Sequence, residues 1–309
     1  MTSFASSRRH PKDHPARVEW ITLSLYVLCL ALWCIGVFVL PTFSLVLTVG
    51  VTGFALVLHG SLTHEVVHGH PFPSFRLSEA LVVINPGLFV PYLRFRDTHL
   101  AHHQDANLTD PYDDPESNYL DPAKWARLSG WQRWVLQRNN TLLGRIVIGP
   151  LVGQVAFMRA DWVAIRAGDA QVLKGWLLHV PSLVVVPLAV WASPVPLWLY
   201  FAICYGAMSV LKIRTFLEHQ AHEVARGRTV IIEDRGILAF LFLNNNLHVV
   251  HHMHPRVPWY RLPSVYRANR ERYLNCNDGY LYTSYGQVFA RHFLCAKDPV
   301  PHPLWPSDG

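Results

Sequence analysis

The sequence predicts an all-α integral membrane protein. It has four transmembrane helices in two hairpins, and a cytoplasmic helical cap carries a histidine-rich site for two metal ions. Three observations predict it. Four apolar runs are long enough to cross a bilayer, they pair through very short connectors, and three histidine clusters fall on one expected side of the membrane, capping the second run, within the central segment and after the fourth run. Bulk composition agrees: 51% of the residues are hydrophobic and only 16% are charged, against about 25% charged in soluble domains.

The first run covers residues 18–40. At 1.5 Å per residue it reaches about 34 Å, enough for the hydrocarbon core. A basic, polar stretch (Arg8, Arg9, Lys12, Arg17) precedes it. A cleaved signal peptide would be shorter and end in small residues, so a retained span is expected. Only Pro41 and Thr42 separate this run from the second, 43–63, which makes a tight hairpin. The third run, 175–192, and the fourth, 196–213, are joined by Ser193, Pro194 and Val195 into a second hairpin. Two weaker stretches, 80–95 and 142–158, are interrupted by Pro86, Gly87, Pro91, Arg145, Gly149 and Pro150; interfacial or re-entrant elements are expected there. The segment Asp110-Pro-Tyr-Asp-Asp-Pro-Glu116 reads as turns. The whole chain, 1–309, is read as one domain, with cap segments at 64–174 and 214–309.

Lysine and arginine set the orientation. Residues 1–17 hold four, 64–174 hold eleven, 212–309 hold twelve, and the two connectors none. Both termini and the central segment are therefore expected on the cytoplasmic side. No Cys-x-x-Cys pair occurs among the five cysteines, so neither a disulfide framework nor a zinc ribbon is expected. The formal charge of +6 is spread along the chain without a nucleic-acid motif. That distribution favours a membrane face over nucleic acid.

The clusters are His64-Glu-Val-Val-His68, His99-Leu-Ala-His102-His103 and His248-Val-Val-His251-His252. Helical residues at i, i+3 and i+4 share a face, so each cluster aims its imidazoles one way. Imidazole is a common metal ligand, and neutral histidine is cheaper to bury than a carboxylate. Eight or nine such nitrogens exceed the four that one zinc takes, and suit two ions with four or five ligands each. A ferritin-like carboxylate site would need Glu-x-x-His pairs. Here the nearby acid, Glu65, falls off the ligand face.

These boxes resemble those of the integral-membrane fatty acid desaturase superfamily, which embraces acyl desaturases, acyl-lipid hydroxylases, alkane hydroxylases and carotenoid ketolases. Arg214-Thr-Phe-Leu-Glu-His219 resembles the family's further histidine after the last span. Asn244-Asn-Asn-Leu-His248 is similar to the third box of bacterial acyl-lipid desaturases. The resemblance implies His64, His68, His99, His102, His103, His248, His251 and His252 as metal ligands, with His219 as the ninth and His222 its rival. His59, His70, His179 and His254 are read as non-ligands, as are the tail residues His10, His14, His292 and His302. Acids expected to orient the ligands are Glu65, Asp97, Asp105, Asp110, Glu218 and Glu223, with Asp105 and Glu218 favoured.

The resemblance further implies two iron ions and O₂-dependent oxidation of a lipid acyl chain. Desaturation is the leading expectation and hydroxylation or another oxygenation the alternative. It also implies a bacterial inner membrane location. The sequence has no Gly-x-Gly-x-x-Gly fingerprint, no four-cysteine iron site and no Cys-x-x-Cys-His. An external electron-transfer protein such as a ferredoxin is therefore expected. A metal transporter would want ionisable groups near the bilayer midplane, whereas these boxes lie towards one face.

Overall fold

The computed structural model describes residues 17–305, except the side chain of Asp105. Helix α1 (Trp20–Cys34) is apolar on all sides, and it continues through a π turn (Ile35–Val39) and a 3-10 turn (Leu40–Thr42). Pro41, which lacks an N–H, sits where the chain reverses. Ser44 caps α2 (Leu45–Val67) by accepting the Leu47 N–H at 3.3 Å. The hairpin closes tightly at Gly36: a β-carbon there would lie 2.4 Å from Thr52 Oγ1 and 3.1 Å from the Thr52 nitrogen. Helix α2 runs four residues past the expected end of the second span, so His64 lies inside it and His68 forms its C-cap.

Helices α3 (Phe75–Val82) and α4 (Tyr92–His102) flank the expected break at Pro86, Gly87 and Pro91. The intervening loop is pinned from several sides. Tyr200 Oη donates to Pro86 O at 2.7 Å, Gln154 Nε2 to Phe89 O at 2.8 Å and His179 Nε2 to Leu88 O at 2.6 Å. His179, read from sequence as a non-ligand, thus holds the loop that launches α4. Short helices α5 (Pro122–Arg127), α6 (Gly130–Asn139) and α7 (Leu142–Val147) lead into α8 (Gly149–Arg166). Asp161 of α8 accepts two hydrogen bonds from Arg94 of α4, at 2.8 and 2.9 Å.

The third span is two helices, α9 (Ala170–Leu177) and α10 (Val180–Trp191), broken around His179 just before Pro181. It begins five residues earlier than the apolar run suggests, because Asp169 caps α9 through the Gln171 and Val172 N–H groups. Helix α11 (Leu197–Thr215) is the fourth span. Four helical stretches, Trp20–Thr42, Leu45–Val67, Ala170–Trp191 and Leu197–Thr215, are long and apolar enough to cross a membrane. This is the architecture of an integral membrane protein.

The remaining chain forms α12 (Ile237–Leu241), α13 (His248–Met253), α14 (Leu262–Ala268), α15 (Arg270–Cys276) and α16 (Tyr285–His292). A two-residue parallel ladder, β1 (Ile231–Ile232) with β2 (Leu281–Tyr282), is the only sheet among the described residues. Ile231 and Ile232 are fully buried, and the Ile232 N–H donates to Asn246 O at 2.8 Å. That bond fixes the approach to α13.

Candidate metal centre

Four segments converge on one buried region: the end of α2, the end of α4, the turn after α11, and α13. All nine histidines expected as ligands meet there, and they sort into two groups. His64, His68, His99, His103 and His251 form one, and His102, His219, His248 and His252 form the other. Within each group the candidate ligand atoms lie within 4.8 Å of one another. Adjacent residues part company: His102 and His103 enter different groups, as do His251 and His252. Successive helical side chains point about 100° apart, so one helix end can serve two neighbouring sites.

The nitrogen spacings test the fit to metal. Ligands at the usual 2.0–2.1 Å stand about 2.9–3.4 Å apart when adjacent in octahedral or tetrahedral geometry. In the five-histidine group, the Nε2 atoms of His68 and His99 lie 3.2 Å apart, those of His103 and His99 3.0 Å, and those of His251 and His103 3.2 Å. In the four-histidine group the Nε2 of His219 lies 2.9 Å from that of His102 and 3.1 Å from that of His248. His64 Nε2 is buried without a hydrogen-bond partner among the described residues, an arrangement that costs free energy unless something else occupies the lone pair. The donor set and its spacing therefore fit two metal ions.

Four of the nine Nδ1 atoms are committed elsewhere. His99 Nδ1 faces Glu116 Oε1 at 3.0 Å, His102 Nδ1 faces Asp114 Oδ1 at 2.8 Å, His248 Nδ1 faces Asn245 Oδ1 at 3.0 Å, and His219 Nδ1 faces Thr229 Oγ1 at 3.3 Å. An Nδ1–H held in this way leaves the Nε2 lone pair free for a metal. Asp114 is itself fixed, because it accepts the Thr109 and Glu116 N–H groups, each at 2.9 Å.

Electrostatics keep most of the rings neutral. Burial first, then repulsion from neighbouring imidazoles, holds His68, His103, His219, His248 and His251 well below the ordinary imidazole value. His102 differs. Burial disfavours its cation, but Glu116 and Asp114 outweigh burial and push it up to about 9. Burial likewise opposes ionisation of Glu116, yet His102 and His99 bring its carboxyl well below the usual range.

Sequence reasoning missed Asp114, Glu116, Asn245 and Thr229. The first two lay in the stretch read only as turns, although its density of acids between prolines was a usable signal. Of the favoured acids, Glu218 does approach the site: it pairs with Arg214 at 3.1 Å, accepts from Asn245 Nδ2 at 3.2 Å and lies 3.9 Å from His248 Nδ1. The Asp105 side chain lies outside the described residues. Glu65 is buried and accepts the Trp259 N–H at 3.1 Å, with His64 Nδ1 3.8 Å away. Asp97 pairs with Arg96, Asp110 caps the turn at Tyr112 and Asp113, and Glu223 is exposed. His222 stands outside both groups, with Nδ1 accepting the Val224 N–H at 3.1 Å. His59, His70 and His254 also stand apart, beside Thr63, Glu19 and Tyr273 respectively. His10 and His14 lie outside the described residues.

The profile of the family described as Fatty acid desaturase matches residues 38–285. The chain belongs to that family. It is also similar to two proteins named "Beta-carotene ketolase". One, from Paracoccus sp. (strain N81106 / MBIC 01143), is 25% identical over 255 residues, covering 80% of this chain and 87% of its own length. The other, from Paracoccus sp. (strain PC1), is 24% identical over 255 residues, covering 79% and 86%. The family and the relatives together point to an oxidoreductase.

Proposed function

We propose that this chain is a di-iron, O₂-dependent oxidoreductase of the bacterial inner membrane that desaturates a lipid acyl chain, with its termini and centre on the cytoplasmic side. The observation that carries the reading is the sorting of nine histidines into two ligand groups that share two helix ends. His64, His68, His99, His103 and His251 would hold one iron. His102, His219, His248 and His252 would hold the other. The bound pair would supply the O₂-dependent oxidation of an unactivated C–H bond, chemistry outside the reach of side-chain acids and bases.

The chain's own residues do the rest. Glu116, Asp114, Asn245 and Thr229 occupy the Nδ1 of His99, His102, His248 and His219 respectively and keep those rings' Nε2 directed inwards. Burial of His64, His99, His102, His248 and His251 excludes water. An apolar groove of about 440 Å³ between Trp20, Ile21, Ser24, Leu25, Leu28 and Trp259 suits a hydrocarbon chain arriving from the bilayer. Its Trp259 wall is tied by its N–H to Glu65, the neighbour of His64. Two electrons per turnover come from outside by way of a ferredoxin or similar carrier, and with two protons from solvent and the two hydrogens removed from the substrate O₂ leaves as two waters.

The ketolase relatives support a second reading, in which oxygen is inserted into the substrate. Expression in a host of simple lipid profile that supplies a ferredoxin, followed by mass spectrometry, separates the two. Loss of two hydrogens from a host lipid supports desaturation, and gain of oxygen supports the second reading. An unchanged lipid profile, or a product that persists in a His102→Ala variant, contradicts both.

A further inference from the structure

Away from the histidines, the stretch from α5 to the middle of α8 has an unusual charge pattern. Residues 122–160 contain Lys124, Arg127, Arg133, Arg138, Arg145 and Arg159 and not one Asp or Glu. Lys124, Arg127, Arg133 and Arg138 are exposed, and none has a carboxylate within ion-pair distance among the described residues. On α6, Trp131, Trp134 and Arg138 share one face at i, i+3 and i+7. The two indoles stack with centroids 5.0 Å apart and planes 17° from parallel, and Arg138 lies over Trp134 at 5.8 Å. Trp131 is nonetheless 69% exposed, a large apolar surface that none of the described residues covers.

The place of α6 in the fold says what covers it. Helix α7 follows directly and packs alongside the fourth span, where Tyr205 Oη donates to Val147 O at 2.6 Å. Tyr205 is near the middle of α11, so α7 enters the apolar layer and α6 sits at its margin. Helix α8 continues with exposed Leu151, Val155, Met158 and Trp162, a lipid-type face that ends in Arg166 lying over Trp162 at 6.0 Å. Indole and long basic side chains are the residues that settle at headgroup level, and each cation near an anionic leaflet adds to the attraction.

We propose that α5 and α6 form a docking surface for anionic phospholipid headgroups, with the Trp131–Trp134 stack seated at the interface and Lys124, Arg127 and Arg138 taking the phosphates. The surface commits the cap to an anionic leaflet.

The full chain, reconstituted in nanodiscs of phosphatidylcholine alone or with phosphatidylglycerol, tests this by hydrogen exchange of the peptide covering 122–139. Exchange is expected to slow by about tenfold or more in the anionic discs, and to recover in high salt. In a Lys124→Gln, Arg127→Gln, Arg138→Gln variant the anionic effect should vanish, while exchange in neutral discs matches the unaltered chain and so reports an intact fold. Equal exchange in both discs would overturn the proposal. So would protection that appears only when an acidic electron-carrier protein is added.

Discussion

His103 and His252 lie face to face, with ring centroids 4.2 Å apart and planes 12° from parallel. One belongs to the five-histidine group and the other to the four-histidine group. The stack is therefore a shared wall. It sets the two groups side by side through the ends of α4 and α13.

Because His219 joins His102 and His248 while His222 is turned away, the two neighbours should behave differently. His219→Ala is expected to leave about one metal ion per chain, the other group being intact, and His222→Ala to leave about two. Metal analysis of the purified variants decides. Loss of metal in His222→Ala with retention in His219→Ala would reverse the assignment.

The carboxylates at Nδ1 should act on affinity. Glu116→Gln removes the anion that orients His99, and Asp114→Asn removes the one that orients His102. Each is expected to weaken metal binding by about 10- to 100-fold, measured by competition with a chelator of known affinity. The Asp114 variant should also loosen the 109–116 turn, since both carboxylate oxygens serve backbone N–H groups there. Unchanged affinity in both variants would show that the rings are held by packing alone.

His102 gives the metal-free chain a pH signature. Its folded value of about 9 stands above the ordinary 6.5. Its ion pairing therefore stabilises the metal-free fold fully below pH 6.5 and is lost as pH rises through 9. Metal competes with that proton, so affinity at the four-histidine group should rise across the same window. Loading at pH 7 should release on the order of one proton from His102, because His219 and His248 are already neutral. Calorimetry in buffers of different ionisation enthalpy measures the proton, and none released at pH 7 would contradict the assignment.

The first hairpin depends on close approach at Gly36. A side chain there meets Thr52 backbone atoms that cannot swing aside. Gly36→Val is expected to destabilise the chain by about 1–3 kcal/mol, seen as a lower thermal midpoint in detergent. By contrast Gly50→Ala, where a β-carbon meets nothing within 4 Å, should leave the midpoint unchanged or raise it slightly.

Periodicity and hydropathy made the spans, the hairpins and the three boxes legible, because helix length and ligand spacing are local properties. The early start of α9 was not, since a single capping aspartate rather than apolar content sets it. Nor was the splay of His102 from His103, which depends on how α4 meets α13 and the turn at His219. Asp114 and Glu116 escaped notice for a related reason: eleven or more residues separate them from His99 and His102, and only the folded turn returns them. Asn245 was visible as part of a motif, but its role appears only when its side-chain oxygen is seen 3.0 Å from His248 Nδ1.

The central claim is that each histidine group holds its own iron. Anomalous scattering at the iron edge, from crystals of the iron-loaded chain, tests it directly. Two separate peaks are expected, one among His64, His68, His99, His103 and His251 and the other among His102, His219, His248 and His252. A single peak, or iron bound away from these residues, would contradict the account.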